Sequence, residues 1–149
     1  MNPHFEYFHS WEAAEERIGY VPLVPASTAG RSLERLALFV RDHRMREVPQ
    51  TRQALEAHYG SFSFSQSLPG EAEARRLALE VRYGTDPRPA LLVGGREGRV
   101  YERGVVPPPG DPDPQMPAVV TWADGPRFLQ LASVELDLDQ LLAIAGSVC

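Results

Sequence analysis

The chain has 149 residues, 43% hydrophobic and 23% charged, enough to bury a core without metals or disulfide staples. All 15 basic residues are arginine, and the net charge of −5 sits in residues 104–149, where Asp111, Asp113, Asp124, Glu135, Asp137 and Asp139 face Arg127 alone. That surface repels a phosphate backbone and argues against nucleic-acid binding.

No apolar run approaches the ~20 residues needed to span a bilayer. Met1 is followed by Asn-Pro-His-Phe-Glu, which lacks the basic start and apolar stretch of a secretory signal. The expectation is a cytoplasmic protein as written, and an extracytoplasmic one if the chain is a fragment of a longer protein. Cys149 is the lone cysteine and the last residue, so an internal disulfide is excluded and a zinc site has no Cys-x-x-Cys to build on.

In chain order, "SWEAAEERIGY" predicts a helix. Ser10 can cap it, Glu12 suits the N-terminal end of the dipole, and Gly19 can take the left-handed stop. Trp11, Ala14 and Ile18 form its apolar stripe. "VPLVP" is an extended crossing, kept out of helix by Pro22 and Pro25. In "SLERLALFVRD" the alternation of Leu36, Leu38 and Val40 fits a strand, while Leu33, Leu36 and Val40 also fit a helix. Arg41, Arg44, Arg46 and Arg52 lie in a polar connection, diluted by Asp42 and Glu47, that reads as a solvated loop.

"QALEAHYGSFSFSQSL" predicts a hairpin around Gly60, with Leu55, Ala57 and Tyr59 alternating inward and Phe62 and Phe64 alternating outward. The composition of "GEAEARRLALEVRYG" favours helix, yet Leu77, Leu79, Val81 and Tyr83 make an equally clean strand face. "PALLVGGREGRVYERG" predicts a second hairpin turning through Gly95 to Gly98. The proline-rich stretch 105–117 reads as a surface connection in polyproline geometry within one domain spanning 1–149. Finally, "DLDQLLAIAG" opens with an Asp137–Gln140 capping box. Its stripe of Leu138, Leu141, Leu142 and Ala145 must be buried on a partner layer.

The expected fold is therefore α+β: a single antiparallel sheet built from hairpins, packed by an N-terminal helix and a short C-terminal amphipathic helix.

Catalytic signatures are missing from the sequence. "GGREG" lacks the Gly-Lys-Ser/Thr ending of a phosphate loop, and no Gly-x-Ser-x-Gly elbow occurs. His4, His9, His43 and His58 form neither His-x-His nor His-Glu-x-x-His, so no metal ligand set stands out and no cofactor is expected. An active site assembled from distant residues would leave no such signature. Tyr59, Phe62, Phe64, Tyr101 and Phe128 are candidates for an apolar ligand surface, although large aromatics more often build cores.

The segment "VVTWADGPRFLQLASVELDLDQLLAIAGSV" resembles the C-terminal part of an uncharacterised bacterial envelope domain found in anti-sigma factor ectodomains and lipoproteins, distantly similar to lipoprotein-carrier sheets. Trp122, Gly125, Phe128, Leu131, Leu141, Ile144, Ala145 and Ser147 carry the likeness, and "SWEAAEERIGYVPLVP" matches its first helix and crossing. This motif is a fold signature without catalytic residues. The resemblance favours a strand within residues 32–42 and implies an antiparallel sheet wrapped against helices. It also implies a non-catalytic binding or regulatory module for a protein partner or an apolar small molecule; the alternative is a small hydrolase-like enzyme with a dispersed site. Trp122, Gly125, Leu141 and Leu142 are expected to be structural, the indole sealing the sheet against the last helix and Gly125 supplying the positive φ of a hairpin turn.

Overall fold

The computed structural model describes residues 2–80, 88–91, 96–101 and 117–149. Among these residues lie one eight-stranded antiparallel sheet and three α-helices. The strands are β1 (Phe5–Phe8), β2 (Arg35–Phe39), β3 (Leu55–His58), β4 (Ser63–Ser67), β5 (Arg88–Leu91), β6 (Glu97–Tyr101), β7 (Ala118–Asp124) and β8 (Arg127–Ser133). The helices are α1 (Trp11–Ile18), α2 (Glu71–Leu79) and α3 (Leu138–Gly146). Strand order β1-β2-β3-β4-β8-β7-β6-β5 describes two four-stranded meanders joined where β8 pairs with β4.

Both expected helix caps form. The Ser10 hydroxyl accepts from Ala13 N–H and Gly19 ends α1 at φ +80°, while Asp137 and Gln140 make the reciprocal capping box of α3. The ambiguous segments resolve as strand at β2 and as helix at α2. Side-chain size explains α2: Ala74 and Ala78, four residues apart, are buried, and their small side chains bring the helix backbone close to the sheet. Thr121 Oγ1 on β7 reaches the Ala78 carbonyl at 3.0 Å. Residues 81–83, which made up part of the strand alternative, lie outside the described residues, as does the proline-rich stretch apart from Pro117.

The sequence reading misses β1 and displaces one turn. Phe5–Phe8 is a four-residue edge strand paired with β2, too short for alternation to declare itself. Gly98, expected in the second hairpin's turn, instead lies within β6 opposite Ala90 and Trp122. Gly98 has no side chain to signal a strand position, and its ladder partner on β7 is Trp122.

Strand alternation gives the sheet two faces of different character. Leu36, Leu38, Leu55, Ala57, Phe64, Val120, Trp122, Leu129 and Leu131 share one face and form the core with Ala14 and Ile18 of α1 and Leu141, Ile144 and Ala145 of α3. Trp122 is 0% exposed and stacks on Phe64 at 6.3 Å between centroids. Leu142 is partly buried against the same core. At the β7–β8 turn Gly125 has φ +59°. Proline locks φ negative at position 126, so the Gly-Pro pair has the type II′ signature that suits a hairpin's twist.

The proline-rich crossing closes this face. Buried Gln66 accepts from Leu23 N–H and donates to the Leu23 carbonyl, both at 2.8 Å. Beyond it, Val24 and Cys149 exchange backbone hydrogen bonds, and Ala26 N–H reaches the Ser147 carbonyl. Arg127 donates to the Val21 carbonyl at 2.7 Å and lies 5.3 Å from the centroid of the Tyr20 ring. Burial pushes the Tyr20 phenol above its ordinary value, opposed by the Arg127 charge.

Two predictions follow from this packing. Trp122→Ala should lower unfolding free energy by about 3–5 kcal/mol, read from urea denaturation. Trp122→Phe should cost less, because the buried indole N–H has no hydrogen-bond partner to lose; an unchanged Trp122→Ala midpoint would refute the packing role. The second prediction concerns pH. The unfolded phenol of Tyr20 ionises first, so its contribution is intact below pH 10.0 and declines as pH rises past that value. Tyr20→Phe should leave the midpoint unchanged or higher at neutral pH, since the hydroxyl is buried without a partner, and should reduce the loss of stability as pH rises above 10.0.

Candidate functional site

Among the described residues, the second face of the sheet is covered by helix over half its width. α2 packs over β6, β7 and β8, while α1 and α3 bury their stripes in the core on the opposite side. Among the described residues no helix lies over this side of β1–β4. Its side chains are read from the register: Phe5 beside Phe39, Tyr7 beside Ala37, then Glu56 and Ser65, and in the next row Arg35, His58 and Ser63. Phe5, Tyr7 and Phe39 are partly exposed. Phe5 stands 5.5 Å from Phe39 and 6.4 Å from Tyr7, centroid to centroid.

Three hollows adjoin these residues. The first, of about 570 Å³, is lined by Glu34, Arg35 and His58, the turn Gly60–Ser63, Pro117 and the end of β8. A second of about 630 Å³ runs past Asn2, Tyr7, His9 and Arg35, and a smaller one of about 110 Å³ lies among Tyr7, Ala37, Glu56 and His58.

The β3–β4 turn is built tightly. Tyr59 N–H donates to the Phe62 carbonyl, and the two rings stack at 4.8 Å. Gly60 takes φ +83°, and a Cβ there would lie 3.0 Å from Glu34 Oε1. The Ser133 hydroxyl donates to the Ser61 carbonyl and accepts from the N–H groups of Glu135 and Leu136, tying the turn to the end of β8. The Ser61 hydroxyl is itself buried without a hydrogen-bond partner.

Of the aromatics proposed from sequence, Tyr59, Phe62 and Phe64 are buried in the core, Tyr101 is buried, and Phe128 is partly buried. Strand alternation puts Tyr101 and Phe128 on the face opposite Phe64, so the five do not line one groove. The partly exposed aromatic cluster is a different set, Phe5, Tyr7 and Phe39. Finding it required knowing that β1 pairs with β2, a relation across more than 25 residues that local periodicity does not contain.

The histidines are dispersed. His4 Nδ1 lies 3.0 Å from the Arg41 carbonyl, and His58 Nε2 lies 3.5 Å from Glu56 Oε1. Ser63 is the cross-strand partner of His58, but no hydrogen bond joins their side chains, so a nucleophile–base contact is lacking. Among the described residues no group of three or more His, Cys, Asp or Glu side chains is placed to hold a metal ion, and no helix is long and apolar enough to cross a membrane.

Gly60→Ala should destabilise the protein by about 1–2 kcal/mol through its left-handed backbone, and should push the Glu34 carboxylate aside. Urea unfolding reads the cost, and an unaltered midpoint would contradict this geometry.

No protein-family model matches the chain, and none of the curated proteins is similar enough to it to count as a relative.

Proposed function

We propose that this chain is a non-catalytic binding or regulatory module, of the kind the anti-sigma ectodomain resemblance implies, which meets its ligand or partner through the uncovered half of its sheet. One observation carries the reading: Phe5, Tyr7 and Phe39 form a partly exposed ring cluster on a face that lacks helix cover over β1–β4 among the described residues. Monomeric proteins seldom leave contiguous apolar surface without a use. Of the three hollows the smallest touches Phe5 and Tyr7 together, and its lining joins those rings and Ala37 to Asn2, Arg35, Glu56 and His58. The hydrolase alternative rests on Glu56, His58 and Ser63 and lacks the serine–histidine hydrogen bond that would activate a nucleophile.

Native mass spectrometry of gently purified protein tests the reading. The expected result is a co-purifying species of lipid-like mass that disappears in the double variant Tyr7→Ser/Phe39→Ser at an unchanged melting temperature. Equal occupancy in both proteins would place binding elsewhere. A clean mass in both would remove the apolar ligand and leave a protein partner as the remaining form of the proposal.

A further inference from the structure

Among the described residues, Arg35 is the one side chain shared by the three hollows: one on the β1–β3 face beside Tyr7 and Glu56, and two at the strand ends, by Phe8 and Leu36 and by the β3–β4 turn. It is exposed and has no ion pair or hydrogen bond from its guanidinium to any described residue. Two carboxylates line these hollows with it, and neither forms an ion pair with Arg35. Glu34 stands over Gly60, its Oε1 3.0 Å from where a Cβ would be, and Glu56 lies 3.5 Å from His58 Nε2. Next to this uncommitted cation lie Tyr7, Phe5 and Ala37, with Phe39 beyond them against Phe5. A planar guanidinium presents two parallel N–H donors that match a carboxylate, and the rings supply apolar area for a chain attached to it.

We infer that Arg35 anchors the head of a monocarboxylate amphiphile, an acyl chain ending in a carboxylate, whose tail lies across Phe5, Tyr7 and Phe39. The inference rests on the binding role proposed for this face and adds the class of ligand. A guanidinium also fits phosphate, but Glu34 and Glu56 repel a dianion more strongly than a monoanion, which favours the carboxylate.

The test is a titration of the full-length labelled chain with dodecanoate below its micelle concentration, followed by NMR. Saturable shifts are expected at Tyr7, Arg35 and Phe39. Dodecanol should bind at least about tenfold more weakly, because a charged hydrogen-bonded pair is lost. Arg35→Gln should bring dodecanoate down to the dodecanol level, and Arg44→Gln should leave it unchanged. Equal binding of acid and alcohol, undiminished binding by Arg35→Gln, or tighter binding of dodecyl phosphate would each overturn the assignment. If the shifts still centre on Phe5, Tyr7 and Phe39, the face survives as a binding surface and only the headgroup is wrong. Shifts elsewhere, or none with any probe, would overturn the inference and count against the face as well.

Discussion

The pairing of β4 with β8 is the constraint on which the rest of the molecule depends. Each meander is a local structure, but a four-stranded meander alone leaves both its faces and both its edges open. Register Ser63–Ser67 against Phe128–Ala132 merges the two into one sheet, and the Phe64–Trp122 stack crosses that seam on the core face. With the seam closed, one continuous apolar face exists for α1 and α3 to cover. Shifting either strand by one residue would turn Phe64 or Leu131 to the other side.

The seam also explains why the two faces differ. α2 connects the meanders by carrying the chain from β4 toward the far edge, and it packs on β6–β8 as it goes. Its nine residues extend about 13 Å at 1.5 Å per residue, whereas strands in a sheet lie roughly 4.8 Å apart. A helix of that length covers two or three strands and leaves β1–β4 without it. Among the described residues that half carries no helix, and the aromatic side chains of Phe5, Tyr7 and Phe39 make it chemically distinctive. On the opposite face the crossing at 21–26, held by Gln66 and by the C-terminal residues, closes the core where the helices stop.

Elements governed by neighbours in sequence could be read before the structure was known. Ser10, Gly19, Asp137 and Gln140 act within one turn of the helices they bound, so their meaning is local. The hairpins about Gly60 and Gly125 were legible for the same reason, each turning on a glycine at positive φ. β2 and α2 were ambiguous because Leu and Ala suit either period, and tertiary packing decided between them. β1 was missed because four residues carry too little pattern, and Gly98 was misplaced because it has no side chain to signal a strand position. The candidate site was the least legible part. Tyr7, Arg35, Glu56 and His58 come from three strands, and only the register brings them together.

The central claim is that, among the described residues, no helix covers the face of β1–β4 that carries Phe5, Tyr7 and Phe39, while α1 and α3 cover the opposite face. Solvent paramagnetic relaxation of the aromatic protons tests it most directly. Strong relaxation of Phe5, Tyr7 and Phe39 is predicted, with Phe64 and Trp122 protected. Protection of Phe5, Tyr7 and Phe39 equal to that of Phe64 would mean that this half of the sheet is covered as well, and would contradict the account.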